Sequence, residues 1–207
     1  MHPLLLLTGF GSFEDVDRNP SGLLAKAFGE RAPEGLDVFG IELPVTFHGS
    51  ALELDRALAG LAPRVPHAIL ALGVHPGSGF RLERRARAVL GTGRPDVAGV
   101  HGAEVDLGGG HDLATSLDLE PLAAALRRAG AGSVVLSEDA GGYVCERIYR
   151  HVLERGRQLG VPALFLHVPP LASSPFERQH AVLRELLLEV GRVVSATSAT
   201  PTTPRTR

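Results

Sequence analysis

One cysteine, Cys145, occurs in a chain of 207 residues. It follows the apolar run Val134-Val135-Leu136 by way of Ser137-Glu138-Asp139-Ala140-Gly141-Gly142, in the first turns of a helical pattern over residues 142–156. The paired glycines allow a tight strand-to-helix turn. A thiol there feels the positive end of the helix macrodipole, which favours thiolate, and unpaired first-turn N–H groups can receive a developing oxyanion. A free cysteine is more often a small buried apolar residue, so position alone leaves a packing role open. His167 ends the run Ala163-Leu164-Phe165-Leu166, and Val168-Pro169-Pro170 stops the strand behind it. A lone histidine at a strand end is usually structural. A cysteine and a histidine both expected at carboxyl ends of strands, on one rim of a sheet, make a nucleophile and its base. Glu83 is the third candidate. It is either a solvated carboxylate paired with Arg81 or Arg85, or, if its face points to the site, the acceptor that fixes the imidazole tautomer.

These side chains need strands and helices to hold them, and the chain alternates the two throughout. Residues 4–8 read as a buried strand. Asn19-Pro20-Ser21 opens a helix to about residue 28, with Asn19 as N-cap and Gly29 after its end. Residues 38–43 read as strand, and residues 50–61 as an amphipathic helix with Leu52, Leu54, Leu58 and Leu61 on one side. A buried strand follows over 68–72. Residues 80–88 alternate with period two, which predicts one strand with a polar face carrying Arg81, Glu83, Arg85 and Arg87. The segment 91–110 is Gly- and Asp-rich and reads as an excursion. Helix is expected over 119–128, strand over 133–136, helix over 142–156, strand over 163–167, and a long helix over 175–194. The pattern predicts an α/β fold of three layers, α/β/α, with a mostly parallel central sheet. Residues 1–194 are expected to form one domain, and the Ser/Thr/Pro-rich residues 195–207 a disordered tail. In such sheets ligands bind beyond the carboxyl ends of the strands, where the candidate residues are expected.

Composition is that of an ordinary globular chain, 44% hydrophobic and 21% charged, with a net charge of -2. Nothing in that balance suggests a nucleic-acid or anionic-membrane surface. One cysteine excludes an intramolecular disulfide, as suits a reducing compartment. The apolar start of the chain is too short for a signal peptide and lacks a basic region, and no apolar stretch approaches a bilayer span. A cytoplasmic setting is therefore expected.

Four segments, in order and spacing, resemble the pyroglutamyl peptidase (pyrrolidone-carboxylate peptidase) family of cysteine peptidases over about residues 4–180. They are Thr8-Gly9-Phe10-Gly11-Ser12-Phe13 with Asn19-Pro20-Ser21; Phe80-Arg81-Leu82-Glu83-Arg84-Arg85-Ala86; Ser137-Glu138-Asp139-Ala140-Gly141-Gly142-Tyr143-Val144-Cys145; and Phe165-Leu166-His167-Val168-Pro169. The resemblance implies an exopeptidase that removes an N-terminal pyroglutamyl residue from peptides through a thioester, with Cys145, His167 and Glu83 as triad and no metal or organic cofactor. It implies that Phe10 and Phe13 clamp the lactam ring, that the backbone at Asn19 and Val74 contacts it, and that Tyr143 completes the pocket wall. A neutral lactam without a free amine suits an apolar slot with backbone hydrogen bonds. The family resemblance also suggests a homo-oligomer, a tetramer in many members.

The chain departs from the family pattern in several places. Ser78 and Gly93 stand where arginines are usual, with Arg94 beside the second as candidate support for an oxyanion. Ala88, Val97 and Glu146 replace asparagines. Losing a charge-assisted donor to an oxyanion costs about 10²–10³ in turnover. A rival reading is therefore a lactam- or peptide-binding protein of the same fold with weak or no catalysis. A metal site at His101, His111 and Asp112 has no recognised ligand spacing. Gly9-Phe10-Gly11 lacks the third glycine of a dinucleotide fingerprint.

Overall fold

A computed structural model describes residues 2–14, 16–91 and 93–198. In chain order the elements are β1 (Leu4–Phe10), α1 (Pro20–Glu30), β2 (Asp37–Leu43), α2 (Phe47–Leu61), β3 (Ala68–Val74), β4 (Phe80–Glu83), β5 (Arg85–Ala86), β6 (Leu113–Ala114), α3 (Leu119–Arg128), β7 (Val134–Ser137), α4 (Val144–Leu159), β8 (Ala163–Val168) and α5 (Phe176–Ser198).

Six strands form the central sheet in the order β2-β1-β3-β8-β4-β7. The first four in that order are parallel; β4 pairs antiparallel with β8, and β7 runs parallel to β4. The reversal of β4 follows from its link. Only residues 75–79 join β3 to β4, and a parallel return needs a crossover of about a dozen residues. Because successive side chains alternate between faces, the sheet has two separate cores. Leu5, Leu7, Leu70, Leu82 and Leu164 pack under Leu24 of α1, Leu122 of α3 and Leu187 of α5. Leu6, Ile69 and Phe165 pack under Leu54 of α2 and Ile148 of α4. The three layers and the mostly parallel sheet are as expected, and all seven residues of β1 are buried, as an unalternating apolar run predicts.

Several local expectations change. The predicted strand over 80–88 breaks after Glu83. The Arg84 N–H donates to Ser137 O at 2.7 Å, and β5 turns away to pair with β6. Its polar face is only partly solvated: Arg81 and Glu83 share the face on which β8 carries Phe165 and His167, and Glu83 is buried there. Helix α1 carries on through Gly29 to Glu30. Helix α2 begins at Phe47, where Thr46 accepts the Gly49 N–H and Asp96 accepts that of Phe47 at 2.7 Å. The buried stripe of α2 is Phe47, Ser50, Ala51, Leu54 and Ala57, while Leu52 is 53% exposed. Helix α5 reaches Ser198, four residues past the predicted end of the domain. Residues 199–207 of the predicted tail lie outside the described residues.

Among its described residues, the excursion between β5 and β6 carries a short 3-10 turn, Gly102–Glu104, and an isolated bridge between Pro95 and His101. It is held from beneath by Arg150 of α4, which is 2% exposed and donates to the carbonyls of Leu107, Gly109 and His111. Among the described residues no helix is long and apolar enough to cross a membrane.

Candidate active site

Cys145 is the second residue of α4. The expectation that a strand end would place it beside His167 needs correction, because β7 runs opposite to β8. Val135 lies level with His167 and Ser137 level with Phe165, so β7 leaves at the other edge. Residues 138–143 bring the chain back up. Their turn uses positive φ at Gly141 (96°) and Gly142 (65°), conformations that glycine alone adopts without strain. Helix α4 then starts over the carboxyl end of β3. A Cβ built at Gly73 would lie 2.9 Å from the Cys145 sulfur, and Gly73 is the register partner of His167. The missing side chain at Gly73 leaves room for the sulfur against β3, in the cavity that His167 also lines.

Tyr143, the N-cap residue of α4, offers no side-chain cap. The first-turn N–H groups of the helix are therefore not taken by a capping side chain and face the region of the sulfur. The expected thiolate is not what the surroundings favour. Burial, then the carboxylates of Glu83 and Glu146, push the Cys145 thiol up to about 12. These outweigh the bond from the Cys145 backbone N–H, which lowers it, so near neutral pH the sulfur keeps its proton and needs a base.

That base and its orienting carboxylate are side by side. His167 Nδ1 lies 2.7 Å from Glu83 Oε1, with His167 4% exposed and Glu83 0%. A carboxylate can only accept, so Nδ1 carries a hydrogen, and in the neutral imidazole the lone pair is on Nε2. Glu83 is also fixed through its backbone, whose carbonyl accepts from the Tyr149 hydroxyl at 2.6 Å. Of the alternative for Glu83, a solvated carboxylate paired with Arg81 or Arg85, only the Arg81 contact is present, at 3.5 Å, and the carboxylate is buried. Arg85 is engaged elsewhere, by Asp112 and Glu138.

Cys145 and His167 open on a cavity of ≈ 290 Å³. Phe10, Phe13, Asn19, Val74, Tyr143 and Arg94 all line it, so every other residue singled out for substrate or oxyanion lies there, with Glu83 behind His167. The loop after β1 that carries Phe13 is pinned by Asn19. Its Nδ2 donates to Gly11 O at 3.0 Å, and its Oδ1 accepts from the Ser21 N–H and hydroxyl. On the opposite wall the Tyr143 hydroxyl donates to Pro95 O at 2.9 Å. The Arg94 guanidinium sits 4.9 Å over the Tyr143 ring and pairs with Glu14.

The structure also lines the site with residues that sequence reasoning did not place there, among them Val45, His75, Arg81 and Asp139. Val45 extends the apolar wall. His75 packs edge-on to His167, with ring centroids 5.8 Å apart; its Nδ1 accepts the Gly77 N–H and its Nε2–H donates to Gly79 O. Burial pulls its pKa below the usual histidine value and keeps it neutral. The strand-end test that found His167 also points to His75, one residue past β3. Arg81 and Asp139 line the mouth. Of the positions that depart from the family pattern, Glu146 bears on the site. It is 0% exposed and accepts from the Gly142 N–H at 3.1 Å and from the Arg87 N–H at 2.7 Å, bracing the turn that carries Cys145. Ala88 donates to Asp112, and Val97 is 54% exposed. His101 lies 3.2 Å from Gly93 O, and among the described residues no group of three His, Cys, Asp or Glu side chains is arranged to hold a metal ion.

Against known proteins, the family model described as pyroglutamyl peptidase matches residues 3–198. A pyrrolidone-carboxylate peptidase of Mycobacterium tuberculosis (strain ATCC 25618 / H37Rv) is 32% identical over 177 residues, which cover 82% of this chain and 78% of the relative. One from Halalkalibacterium halodurans is 29% identical, covering 91% and 94%. Among solved structures, the pyrrolidone carboxyl peptidase from Thermococcus litoralis superposes with a TM-score of 0.85 at 22% identity, over 98% of this chain and 99% of that one. The enzyme from Fervidobacterium islandicum gives a TM-score of 0.80 at 27% identity, over 90% and 97%.

Proposed function

The chain belongs to the pyroglutamyl peptidase family, and on that footing we propose that it hydrolyses the bond after an N-terminal pyroglutamyl residue, with Cys145 as nucleophile, His167 as general base and acid, and Glu83 as the group that orients the histidine. The observation that carries these roles is the buried 2.7 Å Glu83–His167 hydrogen bond, made behind the wall of the cavity where the Cys145 sulfur rests over Gly73.

The reaction runs as follows. The lactam ring enters the slot between Phe10, Phe13, Val45, Val74 and Tyr143, whose apolar surfaces match a group with no charge. The cavity is at the small end of the range for ligand sites, about 300–1,000 Å³, and has room for the five-membered ring with its carbonyl. As the sulfur adds to the carbonyl carbon, its proton passes to His167 Nε2 and Glu83 stabilises the imidazolium. The oxyanion is received by first-turn N–H groups of α4, with Arg94 as candidate support. The C–N bond breaks as His167 returns the proton to the leaving amine, and a thioester remains. Water then loses a proton to Nε2 as its oxygen adds to the thioester; the C–S bond breaks, and Cys145 recovers its proton from His167. No step calls for a metal or organic cofactor. We place the enzyme in the cytoplasm, where its one thiol stays reduced, and expect a homo-oligomer, tetrameric by family resemblance, to be read by sedimentation.

The test is hydrolysis of a pyroglutamyl-coumarylamide by reduced protein, with prolyl and alanyl analogues and Cys145→Ala as controls. Release from the pyroglutamyl substrate alone, lost in Cys145→Ala, is the expected result. Folded wild-type protein that binds pyroglutamate without turnover would favour the binding-protein reading instead.

A further inference from the structure

Glu83 poses an electrostatic problem that the triad by itself does not solve. Its carboxylate is 0% exposed, and the mechanism needs His167 unprotonated until the sulfur attacks. A buried carboxylate without a countercharge is costly, and the usual outcome is that it takes up a proton or recruits one nearby. The groups around it come from every neighbouring element. Cys145, Glu146 and Tyr149 approach from α4, His167 from β8, and His75 from the link after β3. None of these supplies a cation in the resting site. Arg87 is taken by Glu146 and Asp139.

Arg81 does supply one. It stands two residues before Glu83 on the same face of β4, in register with His167 across the antiparallel pair. Its Nε lies 3.5 Å from Glu83 Oε1, too long for a good hydrogen bond but a close charge contact. That Nε and Glu83 Oε2 are both buried without a hydrogen-bond partner among the described residues, a complementary donor and acceptor left open side by side. The other end of the guanidinium donates to Ser137 Oγ at 2.5 Å and to Asp139 O at 2.9 Å, at the start of the link that leads to Cys145.

We propose that Arg81 is a positioning residue of the site: its guanidinium is the resting countercharge of Glu83, keeping that carboxylate an acceptor for His167, and it ties β4 to the link that carries the nucleophile. This rests on reading Cys145, His167 and Glu83 as the triad. When His167 takes the thiol proton, Glu83 is shared between two cations. When it gives the proton up, Arg81 alone balances the carboxylate. Without Arg81 the buried carboxylate holds a proton on His167 instead, and the base is lost first where protons are most available.

The experiment compares Arg81→Met and Arg81→Gln, which remove the charge, with Arg81→Lys, which keeps it. On the pyroglutamyl-coumarylamide, the Met and Gln variants should lose kcat with KM within about twofold, and the loss should deepen by about tenfold from pH 8 to pH 6, the effect of one charge within a few ångströms. Arg81→Lys should recover most of the loss at pH 6. A second readout needs no turnover. In urea unfolding, the fold-change in unfolding constant caused by Arg81→Met should shrink by about tenfold when Glu83→Gln is already present. Equal losses at both pH values, a Lys variant no better than Met, or additive unfolding effects would each overturn the proposal. Wild-type protein without turnover would sink the peptidase reading, while the unfolding cycle would still decide the role of Arg81.

Discussion

Adding one methyl group at Gly73 should disable the site while leaving the fold standing. A Cβ there would meet Phe165 Cζ at 2.8 Å and the Cys145 sulfur at 2.9 Å, where ordinary contacts run from 3.4 to 4 Å. Something must therefore move by roughly 0.5–1 Å. The Phe165 ring cannot, since it is 0% exposed and backed by Tyr149 at 5.5 Å and His167 at 4.8 Å between ring centroids. The sulfur can, because it borders the cavity. Gly73 does not need a left-handed backbone, so the Cβ itself is the whole perturbation. Displacing a reacting atom by about 1 Å costs about 10²-fold in rate, and one overpacked methyl costs about 1–3 kcal/mol of stability. Gly73→Ala should thus fall about 100-fold in kcat on the coumarylamide, with KM changed far less and a single cooperative melt retained. Gly60→Ala, on the surface of α2 with nothing within 4 Å of the new methyl, should leave kcat alone and stabilise slightly. Full activity in a folded Gly73→Ala protein would refute the placement of the sulfur against β3.

Two further outcomes follow from charges near and far from the sulfur. Glu146→Gln removes one of the two carboxylates that raise the Cys145 thiol, so the pH midpoint for alkylation by iodoacetamide should fall below that of wild type. It should stay above the ordinary thiol value of about 8.5, because burial is the larger cause; an unmoved midpoint would remove Glu146 from the account. On the far side of α4, Asp55 accepts from His151 at 2.9 Å and from Arg155 at 2.7 Å. Burial tends to raise its pKa, but the bonds from Arg155 and His151 outweigh that and hold it below the usual carboxylate value. A lowered folded-state pKa contributes stability that is present above the unfolded value of about 3.9 and is lost as pH falls through the folded one. Asp55→Asn should therefore melt lower than wild type at pH 7, and the gap should shrink as pH falls below the unfolded value. Because the side chain is 34% exposed, the gap should be small, about 1 kcal/mol or less.

How much of this was legible beforehand depended on whether the signal was local. The Asn19 cap, the buried run of β1 and the placement of α3 were readable because capping chemistry and apolar periodicity act over a few residues. His167 and Glu83 were legible as types and as members of motifs, but their 2.7 Å contact depends on β4 lying antiparallel beside β8, which no periodicity encodes. Leu52 shows the opposite failure: its apolar character suggested the buried side of α2, yet the helix starts three residues earlier, and its stripe runs through Ala51 and Leu54. The turn that delivers Cys145 was readable from Gly141-Gly142, while its destination was not. That destination is fixed by the absence of a side chain at Gly73, 72 residues earlier in the chain.

The high thiol value bears on how the site works rather than on whether it works. A thiolate held permanently beside Glu83 and Glu146 would put a third negative charge into a half-buried space, at a cost that rises as the dielectric falls. A neutral thiol avoids that cost in the resting state. Charge then appears only as the sulfur bonds to carbon, when the negative charge moves to the substrate oxygen and the proton to His167, next to a carboxylate already in place. On this account the two wild-type profiles separate. Alkylation, which needs free thiolate, climbs toward pH 12, while turnover, which needs only an unprotonated His167 to take the proton during attack, reaches its plateau far lower. Superposition of the two profiles would mean that a preformed thiolate is the attacking species, and that the carboxylates around Cys145 oppose the reaction throughout.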